Sequence, residues 1–360
     1  MVVDAHEDIA WNMLTYGRDY TRSVEETRRL EMGSPTIVHN GHTLLGWDEW
    51  VRGRVGIIFS SLFAVPVRRR KGLWERICYT DELQAGHLYR EQLDLYQRLV
   101  EEHEEKFALV GSRSHLKDVL DSWECEEPAS PKIGLVISME GGDAIQAPSE
   151  LDEWFERGVR IIGPSWTGTR FAGGTHEPGP LTDDGRQLLE AMADFGFVLD
   201  LSHMAEEAVL EALDRYSGVV IASHSNVGAL LPESDRPDRH LSDVVIDCIA
   251  EREGVMGIVP YNRFLLGHWR PGDPREWVTL DHVVAHIDYI CQRVGDALHV
   301  AIGSDFDGGF GLDKIPVGLD SVADLRLIGE ALGTRGYSQE EVEAIMGKNW
   351  LTALRKGLPE

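Results

Sequence analysis

Six side chains able to bind a metal stand where short apolar runs of this 360-residue chain end. His6 and Asp8 close the run that begins at Val2, and at i and i+2 of an extended chain they point to the same side. Glu140 follows Gly134-Leu-Val-Ile-Ser-Met and precedes Gly141-Gly142. His203 follows Val198-Leu-Asp-Leu-Ser, His224 follows Val220-Ile-Ala-Ser, and Asp305 follows Val300-Ala-Ile-Gly-Ser. Three imidazoles and three carboxylates suit one or two divalent ions of the zinc or manganese type. A carboxylate among them can bridge, offering one oxygen to each ion. Each residue also has a plainer reading: a strand-end histidine with a satisfied hydrogen bond, a turn glutamate before Gly-Gly, an Asx-turn at Asp305 and Asp307. A calcium loop at 303–309 is excluded, because the acidic twelfth ligand and the helix–loop–helix context are missing. The plainer readings leave unexplained why all six occupy the same topological position.

Strand ends converge only if the strands share one sheet with one polarity. Near-continuous apolar runs predict eight strands: Val2–Asp8, Val55–Val65, Ile133–Met139, Val159–Pro164, Phe197–Ser202, Val219–Ser223, Val255–Pro260 and His299–Gly303. Such runs suit strands covered by helices on both faces. Amphipathic helices are expected at Leu151–Arg157, Asp183–Asp194, Ala205–Tyr216, Leu241–Arg252 and Leu280–Val294, with cap signals at Ser242-Asp243 and at Ser338 ahead of Glu340 and Glu341. Eight strands alternating with helices over this length give the α/β class, a (β/α)8 TIM barrel, with a doubly wound open sheet as the competing architecture. A polar insertion near 18–50 and a Gly/Pro-rich loop near 168–180 would project from the carboxyl-end face, where barrel enzymes place substrate loops. With no linker or repeat in view, a single domain over 1–360 is expected.

The order His-x-Asp, Glu, His, His, Asp resembles that of the membrane dipeptidase family, the metallopeptidase family M19 branch of the amidohydrolase-like barrels. The matching segments are Asp4-Ala-His-Glu-Asp, Ile137-Ser-Met-Glu-Gly-Gly, Asp200-Leu-Ser-His, Ala222-Ser-His-Ser-Asn, Arg239-His-Leu-Ser-Asp, Gly303-Ser-Asp-Phe-Asp-Gly and Gly347-Lys-Asn-Trp-Leu, spread over nearly the whole chain. The resemblance implies a zinc-dependent dipeptidase that cleaves the amide bond of dipeptides or related small amides through a hydroxide bridging two divalent ions. Zinc is the expected metal, with Mn2+, Co2+ or Fe2+ as substitutes. It implies that His6 and Asp8 hold one ion, His203 and His224 the other, and that Glu140 bridges. Asp305 would be the acid/base, and Arg239 would hold the substrate carboxylate with its planar fork. It also allows a homodimer.

One position departs from the family. Trp166, in Arg160-Ile-Ile-Gly-Pro-Ser-Trp, stands where the family's strand-four histidine is expected, and indole donates one hydrogen bond but carries no proton. His176 and Arg170 in the following loop are candidates to replace that histidine, and Trp166, Phe171 and Trp269 could form an aromatic pocket. A non-peptide amide, lactam or ester is therefore the alternative substrate class, and a catalytically silent metal-binding barrel is the non-enzymatic alternative.

Composition narrows the field further. Sixty-one acidic against 35 basic side chains leave a formal charge of −26, which opposes nucleic acid or an anionic membrane as a partner. Cys78, Cys125, Cys248 and Cys291 form no C-x-x-C pair, so free thiols in a reducing compartment are expected. Charge arrives at Asp4 before any signal-like run, and no run of about 18 apolar residues exists. A cytoplasmic enzyme acting on a small molecule is the expectation. No zincin helix, Gly-x-Ser-x-Gly elbow, phosphate loop or dinucleotide fingerprint occurs.

Overall fold

All eight expected strands form, and their order in the sheet is their order in the chain. In the computed structural model, which describes residues 1–124 and 131–360, they are β1 (Val2–Glu7), β2 (Val55–Leu62), β3 (Ile133–Glu140), β4 (Val159–Gly163), β5 (Val198–Asp200), β6 (Val220–Ala222), β7 (Val255–Ile258) and β8 (Val300–Ile302). The fold is α/β, a (β/α)8 barrel of the TIM type. Glu7 bridges to Phe306 in parallel sense and the Asp305 amide donates to the His6 carbonyl at 3.0 Å, so the end of β1 meets the chain leaving β8. An open doubly wound sheet does not make that junction. A further short strand, Phe107–Leu109, runs beside β3 and was not expected from the sequence.

The chain divides into two compact units. The first holds Met1–Glu7, Asp19–Ile58 and Ala222–Ala353. Within it β7 and β8 pair in parallel with Met256 opposite Val300 and Ile258 opposite Ile302. Gly257 and Gly303 lie so close to the Ser223 carbonyl that a β-carbon at either would stand 1.9 Å from it, so no other residue fits. The Gly347-Lys-Asn-Trp-Leu segment clamps β8 from below: Asn349 Nδ2 donates to the carbonyls of Ala297 and Val300, and Trp350 Nε1 to that of Ile302. The expected polar insertion is helical over Val24–Leu30, Pro35–Asn40 and Trp47–Arg52. Ser23 and Ser34 cap the first two, and Pro35 opens the second, where its missing N–H costs nothing.

The second unit holds Asp8–Arg18, Phe59–Ile221 and Leu354–Glu360. There β3, β4 and β5 pair in parallel, with Glu140 opposite Gly163 and Leu199 opposite Ile162. The ladder continues past Glu140, since the amides of Gly141 and Gly142 donate to the carbonyls of Gly163 and Pro164. The Gly/Pro-rich loop forms a hairpin from Ala172–Gly174 and Glu177–Leu181.

The helices at Leu151–Glu156, Asp183–Phe195, Glu206–Arg215, Asp243–Glu251 and Leu280–Val294 match expectation to within two residues at each end. Ser242 and Ser338 are the N-caps that the sequence signalled. Cys78, Cys248 and Cys291 are free thiols, and Cys125 lies outside the described residues. Among the described residues no helix is long and apolar enough to cross a membrane.

Candidate metal centre

In the first unit His6 and His224 are almost wholly buried, and their imidazoles stack with centroids 3.9 Å apart. Ser223 Oγ lies 2.7 Å from His224 Nδ1, which orients the ring and leaves Nε2 to face a ligand. Arg239, also buried, donates from Nη2 to the His224 carbonyl at 2.7 Å and from Nη1 to Ser225 Oγ at 3.1 Å. It belongs to the turn Pro237–Arg239 rather than to a helix start.

Beneath this group lie two buried carboxyls. Asp4 accepts from the Ser304 amide at 2.6 Å and from its hydroxyl, and Trp50 Nε1 donates to Glu7 at 3.2 Å. Burial, and then the neighbouring Asp4, push the Glu7 carboxyl well above the usual carboxylate range.

Asp305 adopts left-handed backbone, φ 55°, and a β-carbon at Gly308 would stand 2.0 Å from its Oδ1. Asp307, φ 63°, is fully buried and accepts from Tyr20 Oη at 2.8 Å, Thr43 Oγ1 at 2.7 Å and the Leu44 amide at 2.9 Å. Left-handed backbone at two non-glycine residues costs about 1–3 kcal/mol each and is retained only where surroundings over-determine it. Asp307 therefore ties the 18–50 insertion to the turn that presents Asp305, a role that an Asx-turn reading does not contain.

In the second unit Glu140 Oε1 lies 3.0 Å from His203 Nε2. The other ring nitrogen, Nδ1, is 3.0 Å from Thr175 Oγ1. His203 has φ 69°, so this side chain too is presented from a strained turn. Tyr89 Oη donates to the Glu140 carbonyl at 2.7 Å, and Asp8 accepts from Ser61 Oγ.

The loop residues singled out for substrate contact fall in different places. Trp166 is half-buried with its ring 6.1 Å from that of His203. His176, φ 68°, sits exposed at the tip of the hairpin, where its carbonyl accepts from Arg69. Its neighbour Thr175 makes the contact to His203. Arg170 donates to the carbonyls of Ile145 and Gln146. Phe171 and Trp269 are both buried, Phe171 against the Arg170 guanidinium and Trp269 against Tyr261 with Nε1 donating to the Pro274 carbonyl. Large flat rings fill core volume well, and that use prevailed at both positions.

Each unit thus brings together side chains that could hold a cation, His6 and His224 in the first and Glu140 and His203 in the second. Imidazole nitrogens with carboxylate oxygens, and no thiolate, are the donor chemistry of a zinc- or manganese-type ion. The donor set fits such an ion.

The family described as membrane dipeptidase (peptidase family M19) matches residues 1–357. The dipeptidase tcpJ of Claviceps purpurea is 27% identical over 330 residues, 89% of this chain and 71% of the relative. A protein of Klebsiella pneumoniae described as uncharacterized, in the pqqA 5′ region, is 30% identical over 261 residues, 69% of this chain and 92% of the relative. Among solved structures, a metallopeptidase from Rhodobacter sphaeroides liganded with a phosphinate mimic of the dipeptide L-Ala-D-Ala superposes with TM-score 0.79 at 21% identity, covering 99% of each chain. That likeness speaks for the fold. With the family match running almost from end to end, the chain belongs to the membrane dipeptidase family of metallopeptidases.

Proposed function

We propose that the protein is a binuclear hydrolase that takes two divalent ions, zinc by preference, and cleaves the amide bond of dipeptides or closely related small amides. In this reading the chain works as a single catalytic domain. His6 and Asp8 would hold one ion and His203 and His224 the other, with Glu140 a ligand to both. The observation that carries the reading is that each unit brings two of these side chains together, His6 stacked on His224 in the first and Glu140 Oε1 3.0 Å from His203 Nε2 in the second. Two ions there would supply Lewis acidity, activating a water and polarising the scissile carbonyl.

The chain's own residues do the rest. Arg239, fixed against the His224 backbone, holds the substrate carboxylate with an always-charged planar fork. Asp305 takes the proton released by the attacking water and returns it to the leaving nitrogen, so one water is consumed as the C–N bond breaks. Thr175 and Ser223 hold Nδ1 of His203 and His224, so that Nε2 of each would be the atom offered to an ion.

Metal analysis of the purified protein, together with a panel of L,L- and L,D-dipeptides and N-acyl amino acids, tests the reading. The expected result is two equivalents of divalent metal per chain and dipeptide hydrolysis that a chelator abolishes and added zinc restores. Turnover confined to N-acyl or lactam substrates would move the assignment to a non-peptide amidohydrolase. Bound metal without any turnover would leave a binding barrel.

Thr175→Val removes the hydroxyl and keeps the shape. It is expected to weaken metal retention by about 10- to 100-fold in a competitive chelator titration. Unchanged retention would show that Thr175 does not orient His203.

A further inference from the structure

A row of aromatic rings starts beside the Glu140–His203 pair and runs along the second unit. Trp166 lies 6.1 Å from the His203 ring and makes an edge contact with Phe63 at 5.1 Å. Phe63 meets Trp11 at 6.5 Å, Trp11 meets Tyr16 edge-on at 5.5 Å, and Tyr16 stacks with Trp74 at 6.0 Å. The three chain segments that supply the first rings leave the carboxyl ends of strands: Trp11 follows β1, Phe63 follows β2 and Trp166 follows β4. That face of a barrel carries the catalytic groups.

Burial separates the two ends of this row from ordinary core. Trp50, Trp154, Trp269 and Trp350 are fully buried, and Trp11 and Phe63 within the row are buried too, whereas Trp166 at one end and Tyr16 and Trp74 at the other are only half-buried. Rings that adjoin a candidate ligand pair and keep part of their surface accessible are placed to cover an apolar group of a bound molecule, because flat aromatic faces bury large area at little entropic cost.

We propose that Trp166, backed by Phe63 and Trp11, is a specificity-determining wall that selects substrates with a bulky apolar or aromatic group on the acyl side of the scissile amide. The proposal rests on the hydrolase reading above. The side follows from that reading: Arg239 there takes the carboxylate at the far end of the substrate, which leaves the acyl portion for the wall beside His203.

The test compares Phe-Ala with Ala-Ala on the metal-loaded enzyme. Wild type is expected to favour Phe-Ala in kcat/KM by at least about 30-fold, within the range a shaped apolar pocket provides. Trp166→Ala is expected to bring the ratio to about 1 to 3, and Trp166→Phe to hold it in between, with metal content and circular dichroism unchanged in both. A wild-type ratio near one, or a ratio that Trp166→Ala leaves unmoved, overturns the proposal. If neither peptide is cleaved, the hydrolase reading fails by itself, and calorimetric binding of N-acetyl-Phe and N-acetyl-Ala then tests the wall. Tighter binding of N-acetyl-Phe that Trp166→Ala abolishes supports it, and equal binding of the two overturns it.

Discussion

Asp305→Asn is expected to lower kcat on dipeptides by about a thousandfold while the protein keeps its metal, since a positioned general acid–base contributes about 10²- to 10⁴-fold. The substitution is nearly isosteric, and the amide cannot accept a proton and give it back. The turn that presents residue 305 is held by neighbours that the change does not touch. The Asp305 amide donates to His6, Asp307 is anchored by Tyr20, Thr43 and Leu44, and Ser304 is bound to Asp4. The measurement is kcat and metal content on the same preparation. Lost turnover with metal retained assigns proton transfer to Asp305, lost metal makes it chiefly a ligand, and unchanged kcat removes it from the reaction.

Glu140→Ala is expected to act earlier in the chain of causes, on the ions themselves. Two bound equivalents should fall to one or none, and turnover should fall by more than about a thousandfold, because the variant loses both the bridge and the partner of His203. The fold should survive: the Tyr89 hydrogen bond goes to the backbone carbonyl, and the ladder to β4 at Gly141 and Gly142 is also made by backbone. Metal analysis paired with thermal unfolding separates the cases. A protein that still binds two ions would rule out Glu140 as the bridge.

The two variants fail in different ways, which makes them informative together. Activity lost with metal present points to a missing proton carrier, and activity lost with metal points to a missing cage. Thr175→Val lies between them, with a full ligand set whose ring orientation is less well held.

The candidate ligands stand out in the chain because each sits at the end of a buried apolar run, a pattern imposed by the strand repeat and by helices covering both faces. Phe107–Leu109 escaped that reading because three residues, two of them half-buried, make too short a run to stand out. The insertion near 18–50 looked like a polar loop, although Ser23, Ser34 and Pro35 are helix-start signals in plain view. Their helices are six or seven residues long, too short for apolar periodicity to show.

What supports the ligands was a different matter. Thr175 was passed over for His176, since a histidine in a loop near a metal site attracts attention and a threonine does not. The hairpin turn, with φ 68° at residue 176, exposes the imidazole and puts the hydroxyl beside His203. Asp307 looked like a turn residue because its partners Tyr20, Thr43 and Leu44 lie more than 260 positions away. Glu7 reads as a third acid beside His6 and Asp8, yet strand alternation sends it to the opposite side, toward Trp50, where burial raises its pKa. Trp166 was visible as a substitution, but the rings behind it were not.

The sequence by itself determined the strand count, the barrel class and the identity of the side chains that can take a metal, because periodicity and residue type are local properties. Only the tertiary structure decided which hydroxyls orient the histidines, which acid has its pKa raised and which aromatic rings stay accessible. Those outcomes depend on burial and on contacts across hundreds of residues, and no local pattern records which distant groups chain folding will bring within about 3 Å.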